Sequence, residues 1–340
     1  MRKVLVWLLK VLCAGVIALF MLSVFSSLYY NNGIRKTSET GATDYSWENR
    51  FWSLGYEGYA WGNYDKDGFN NLEWEEGDRI DILLMGSSHM NAYNVSSKYS
   101  TAYLLNTQMK ESELNYNVYN IGMEGHDFFA CSDNLDDALA AYNPTKYVIM
   151  ETRYARMSID SMEEVLNETR VRAPAFDSGM IYYLQKIPYF RLFHRQLRDM
   201  LAANSNTSKD LNNTELHAEE TSAITYEYIL DAYMEKLAGE LNDKGVTLII
   251  FFMPEISINQ DGSISKSGTS EDLELLLSSC QKHNIEFVDL SDTFIKHYEQ
   301  TYELPFGFSN TRIGEGHLNR TGHVLIADKL FETILEIEGK

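Results

Sequence analysis

Residues 4–25 are apolar or small, with Lys10 the only charge among them, and Met1-Arg2-Lys3 stands in front. A spanning helix needs about 20 such residues, and a lysine near one end can reach the headgroups along its aliphatic stem. The pattern predicts an amino-terminal membrane anchor over residues 1–30 and a polar tether over 31–44. Arg2, Lys3 and Lys10 precede the apolar core, and Arg35 and Lys36 follow it. That balance directs the amino terminus inward and everything else outward, giving a single-pass membrane protein with its bulk extracytoplasmic. A cleaved signal peptide is the alternative, since Ser23 to Ser27 offers small residues. No A-x-A site accompanies them, which favours a retained anchor.

Beyond an aromatic and glycine-rich lead-in (residues 45–76), short apolar runs alternate with amphipathic stretches. Strands are predicted at 80–85, 117–121, 147–151, 246–253 and 285–290. Helices are predicted at 97–109, 128–142, 223–242 and 270–282, with a closing helix to about Ile337. Runs of four to eight apolar residues between helices indicate a parallel sheet covered on both faces. The predicted fold is therefore a three-layer α/β/α sandwich, flavodoxin-like, occupying residues 45–340. The pattern breaks between 153 and 222, too long a span for a bare crossover, so this is read as an insertion. Its middle, Tyr182 to Arg198, is basic and aromatic, and suits either a lid or a decoration on the sheet.

Composition narrows the function. Hydrophobic residues make up 44% of the 340 positions, enough for a substantial core. The formal charge of -20 argues against nucleic acid as a partner, because binding it needs a basic footprint. Of the three cysteines, Cys13 lies in the apolar segment, while Cys131 and Cys280 suit one disulfide or two buried thiols. Asn63 to Gly68 opens like a calcium loop, but the position for a bidentate glutamate is Trp74, so an acidic turn is the better reading. No metal and no organic cofactor is called for.

Candidate chemistry lies where strands end. The first core strand runs into Gly86-Ser87-Ser88, and ligand sites in open parallel sheets form at the carboxyl ends of strands. Serine needs an imidazole to take its proton, and His317 lies on a loop just before the last helix, where Asn319 is placed to cap. Ser88 is the candidate nucleophile, with Ser87 as an alternative. The second strand leads to Asn120 to Gly125, where the amide of Gly125, with that of Ser88, can serve an oxyanion. His89 follows the serine too closely to turn back on it, and His323 falls inside the helix.

These blocks resemble the SGNH (GDSL-type) hydrolase superfamily: Gly86-Ser87-Ser88 its first, Asn120 to Gly125 its second, and His317-Leu318-Asn319-Arg320-Thr321-Gly322 its last. The resemblance implies the same three-layer fold and serine esterase or O-acyltransferase chemistry. With the single anchor, it is nearest to membrane-tethered members acting on cell-envelope polymers, such as the D-alanyl-transfer protein of teichoic acid and the alginate acetylation proteins. It therefore implies a substrate carrying acetyl or alanyl esters on a cell-surface glycan or polyol-phosphate polymer, and a multi-pass acyl-exporting membrane protein as partner. Two positions depart from the pattern. Where an asparagine should join the oxyanion hole, the chain has Thr152 and Arg153; where an aspartate should precede the histidine by three residues, it has Gly314. Thr152 or Arg153 then stands in at the oxyanion hole, with Arg153 the expected group, and Glu315 is the nearest acid to orient His317, a Ser-His dyad being the alternative. A non-catalytic scaffold protein of an envelope-polymer pathway is the reading from another class.

Overall fold

The computed structural model describes residues 2–31, 35–37, 43–45, 50–54, 57–170, scattered positions between 184 and 197, and 223–340 apart from 243 and 260. Residues Arg2–Tyr29 form one helix of 28 residues. Its stretch Arg2–Ser26 is long and apolar enough to cross a membrane, since about 20 residues at about 1.5 Å each cover the hydrocarbon core. The helix continues directly into β1 (Tyr30–Asn31). Within the stretch read as a polar tether, β2 (Arg35–Thr37) and β3 (Thr43–Tyr45) pair antiparallel. The lead-in also holds a hairpin, β4 (Arg50–Leu54) with β5 (Tyr59–Asn63), and β1 pairs along the free edge of β4.

Five parallel strands make the central sheet: β6 (Ile82–Met85), β7 (Val118–Asn120), β8 (Tyr147–Thr152), β9 (Thr247–Phe252) and β12 (Glu286–Asp289). Their spatial order is β12-β9-β8-β6-β7, the doubly wound arrangement in which the first strand sits between the second and third. Successive side chains alternate between faces, and both faces are apolar. Leu83, Met85, Val148, Met150, Leu248 and Ile250 join the core beneath the helices Phe128–Asp133, Leu135–Tyr142, Ile159–Leu166 and Ala223–Asn242. Ile82, Leu84, Tyr147, Ile149, Ile249 and Phe251 join the opposite core with Thr101–Glu111, Ser291–Thr301 and Arg320–Ile337. The expected three-layer α/β/α sandwich is what forms.

Several local details differ from the sequence reading. The helix expected over 128–142 is two, because Asn134 leaves helical geometry (φ -99, ψ 5) and its Nδ2 donates to the Ala130 carbonyl at 2.8 Å. The helix Thr101–Glu111 starts four residues late, after a turn of 3-10 helix at Ser97–Tyr99. Extended Ser100 ends that turn and caps the helix, its Oγ accepting from the Tyr103 amide at 3.2 Å. The helix Ser291–Thr301 and the small hairpin of β10 (Ile256–Ile258) with β11 (Ile264–Lys266) were not anticipated. Of the insertion at 153–222, the part up to 170 contributes the helix Ile159–Leu166, which buries Met162 and Val165; of the basic, aromatic middle, scattered positions alone are among the described residues. Cys131 and Cys280 are free, buried thiols in one core. Asp65 in the calcium-like turn spends its oxygens on the Asp67 and Phe69 amides and the Asn71 amide group.

His323 sits inside this architecture as a packing residue. It is buried, and its Nδ1 accepts from the Thr101 amide at 3.2 Å and contacts Thr101 Oγ1 at 2.9 Å. Burial, with a smaller push from His317, lowers its pKa from 6.5 to about 3. Between those values the unfolded chain takes up a proton that the folded chain refuses, so this contribution is present above 6.5 and is lost as pH falls toward 3. His323→Gln should therefore flatten the fall in stability between about pH 6.5 and 4, read from urea midpoints. Parallel pH profiles for the two proteins would contradict this role.

Candidate active site

Ser88 opens a one-turn helix, Ser88–Asn91, directly after β6. The turn before it is fixed from below. Glu151, buried at the end of β8, accepts from the Ser87 amide at 2.9 Å and from Ser87 Oγ at 2.9 and 3.0 Å. Ser87 Oγ also accepts from the His89 amide, so this hydroxyl is a cap and a strut. A Cβ on Gly86 would fall 2.6 Å from Glu151 Oε2 and 2.5 Å from Met90, so the close approach requires glycine. With Ser87 held this way, Ser88 is the hydroxyl left facing the edge of the sheet.

His317 reaches that hydroxyl from the far end of the chain: Nε2 stands 2.9 Å from Ser88 Oγ. Its other ring nitrogen, Nδ1, is 2.8 Å from Glu57 Oε2, and its amide donates to Glu57 Oε1. A carboxylate holding Nδ1–H leaves Nε2 as the acceptor for a hydroxyl proton, so the three side chains form one proton-transfer line. The loop bearing His317 is tied at several points. Gly307 N–H donates to the His317 carbonyl at 3.0 Å, and Leu318 N–H donates to His89 Nδ1 at 3.1 Å. Asn319 caps the last helix through Gly322 N–H and donates to the Leu304 and Gly307 carbonyls. Gly316 has φ +109, and a Cβ there would lie 2.2 Å from Glu57 Oε1. Glycine is thus the condition for the carboxylate to lie against this loop.

Glu57 is the residue that the sequence reading missed, and it corrects the expectation for Glu315. Glu315 is 65% exposed at its side chain and faces Arg312 at 3.7 Å, away from the ring it was expected to orient. Glu57, 8% exposed, stands in the turn of the β4–β5 hairpin. The available signal was an acid beside a glycine between two aromatic strands. Arg153 is likewise not presented as an oxyanion donor: its guanidinium pairs with Glu255. Gly125 follows β7 in a turn closed by His126 N–H to the Met123 carbonyl, with φ +82. That loop is fastened to the serine turn by Met123 N–H to the Gly86 carbonyl (2.9 Å) and Asn91 Nδ2 to the Gly122 carbonyl (3.1 Å). Ser88 and Gly125 thus lie on two loops laced together at one edge of the sheet. His89 is buried and its pKa is driven well below 6.5, by desolvation first and the nearby His317 second, so it stays neutral as an acceptor for Leu318.

No family model and no curated protein matches the chain. Solved structures do match. They include the esterase EstA from Pseudoalteromonas sp., 13% identical, over 76% of this chain and 98% of that one at a TM-score of 0.38. An acetyl xylan esterase is 14% identical, over 74% of this chain and 99% of that one at 0.40. A lipase/acylhydrolase from Enterococcus faecalis is also 14% identical, over 76% and 95% at 0.40. These are likenesses of fold alone. The functional reading rests on this chain's own side chains.

Burial raises the pKa of Glu151 above its ordinary 4.5, against the lowering effect of the Ser87 hydrogen bonds. The folded state therefore holds this proton more tightly than the unfolded chain. Its stabilising contribution is complete below 4.5 and is lost as pH rises through the folded value. Glu151→Gln, with no proton to lose, should gain stability relative to the parent as pH rises from about 5 to 8. Paired urea titrations across that range check it, and a difference independent of pH would refute it.

Proposed function

We propose that the chain is a membrane-anchored, outward-facing serine acyl-ester enzyme of the SGNH type, with Ser88 as nucleophile, His317 as base and then acid, and Glu57 as the carboxylate that positions His317. One observation carries the reading: Ser88 Oγ, both ring nitrogens of His317 and Glu57 Oε2 form a continuous line at 2.9 and 2.8 Å. As Ser88 Oγ attacks the ester carbonyl, its proton passes to His317 Nε2. Glu57 holds the Nδ1 proton and stabilises the imidazolium that forms. The amides of Ser88 and Gly125 receive the charge on the carbonyl oxygen. Collapse expels the alcohol, which takes its proton from His317, and leaves the acyl group on Ser88. A water or an acceptor hydroxyl, deprotonated by the same imidazole, then releases it as acid or as a new ester.

The apolar helix at the amino terminus favours action at the cell surface, on acetyl or alanyl esters of an envelope polymer. Transfer, as opposed to hydrolysis, needs an acyl donor on the outer side, which a multi-pass acyl-exporting membrane protein would supply.

Hydrolysis of p-nitrophenyl acetate tests the assignment. Ser88→Ala and His317→Ala should each lower kcat by about a thousandfold or more. Glu57→Gln should lower it by about 10² to 10⁴ with little change in KM, and Glu315→Gln should leave it unchanged. Equal losses for Glu57→Gln and Glu315→Gln, or none for Glu57→Gln, would remove Glu57 from the mechanism.

A further inference from the structure

β5, on the far side of the Glu57 turn, alternates in burial so that Tyr59 and Trp61 share its outer face, 62% and 65% exposed, while Ala60 points inward. Across from them Tyr302 stands 80% exposed, with its ring edge-on to Tyr298 at 5.9 Å. Together these rings line a groove of about 830 Å³, within the range of small-molecule sites, about 300 to 1,000 Å³. Single exposed aromatics are ordinary, but several facing one another across a concave surface mark a ligand site. Arg320 sits over the Tyr99 ring, its Cζ 3.9 Å from the centroid, and both residues line the groove.

The groove adjoins the proposed catalytic line through a residue that holds Glu57. Asn94 lines it, is buried, and donates from Nδ2 to the backbone carbonyl and Oε2 of Glu57 at 3.4 and 3.2 Å. Its Oδ1, also buried, meets no donor among the described residues. A second cleft of about 860 Å³ shares Ile258, Leu304, Phe306, Ile313 and Gly314 with the first, and Gly316, one residue before His317, lines it.

Charge separates the candidate ligands. The charged side chains lining the aromatic groove are one acid, Glu303, and one base, Arg320, so the groove has no net charge, while the whole chain carries -20. A polyanion would meet a repulsive field without a basic patch to offset it. The hydrophobic faces of uncharged pyranose rings, by contrast, match flat aromatic surfaces, and their hydroxyls match the groove's polar lining residues Ser96, Ser309 and Thr321. We propose that this groove binds the uncharged glycan portion of the substrate, with Trp61, Tyr59 and Tyr302 stacking on sugar rings. The assignment rests on the esterase reading above and narrows its substrate from envelope polymers in general to neutral polysaccharide.

The test uses the full chain with Ser88→Ala in lipid nanodiscs, so that binding is read without turnover. Cellohexaose and chitohexaose are the neutral probes and poly(glycerol phosphate) the anionic one, followed by calorimetry and tryptophan fluorescence. At least one neutral oligosaccharide should saturate. Trp61→Ala or Tyr302→Ala, added to Ser88→Ala, should weaken it by about tenfold, while Trp61→Phe retains most of the affinity, which excludes misfolding as the cause. The proposal is overturned by saturation with poly(glycerol phosphate) alone, by affinities indifferent to Trp61 and Tyr302, or by saturation with none of the three probes. Turnover of p-nitrophenyl acetate by the Ser88 protein reads the esterase assignment separately, so the two can fail independently.

Discussion

The contact between Glu57 and His317 holds this molecule's site together. The two residues are 260 positions apart in sequence, and each backbone is shaped to allow the contact. Gly316 leaves the space that the carboxylate fills, and Asn94 holds one of its oxygens from the side. The contact fixes which ring nitrogen of His317 carries a proton, and so which nitrogen is free to face Ser88. It also closes the domain, since a strand pair from the lead-in is thereby clamped onto the loop before the last helix.

The same contact links the site to the apolar helix at the amino end of the chain. The helix Arg2–Tyr29 runs without a break into β1, β1 pairs with β4, and β4 pairs with β5 around the turn that holds Glu57. The apolar helix therefore leads into the three-stranded sheet whose turn carries the carboxylate. Beneath the serine a second buried carboxylate, Glu151, has a mechanical role. It grips Ser87 by amide and hydroxyl and so sets the direction of Ser88. Two acids in hydrogen-bonded contact with neighbouring parts of the site thus differ in role because one touches the imidazole and the other touches only the turn.

Much of this was legible from residue patterns. Five short apolar runs separated by amphipathic stretches could hardly be anything but a buried parallel sheet, and the strand ends marked the Gly-Ser-Ser turn and the Asn120 to Gly125 loop. The position of His317 before a capped helix was equally plain, because Asn319 announces the helix start. Glu57 was not legible. Its signal, an acid beside a glycine in an aromatic stretch, is local, whereas its partner is set by how the lead-in hairpin folds across the sheet edge. Glu315 was nearer in sequence, but its side chain turns to Arg312 and solvent. Arg153 was read as an oxyanion group at a strand end, and the hairpin of β10 and β11, which was not foreseen, follows the acid that engages it, Glu255. Antiparallel hairpins of two to five residues per strand carry too short an alternation to stand out from loops.

The most direct measurement is covalent labelling of the intact protein with a fluorophosphonate, followed by peptide mass spectrometry. An activated serine in this arrangement should carry the adduct on Ser88, with labelling slowed strongly by Glu57→Gln and abolished by His317→Ala. An adduct on Ser87, or labelling of Ser88 at the same rate with and without the Glu57 carboxylate, would contradict the account.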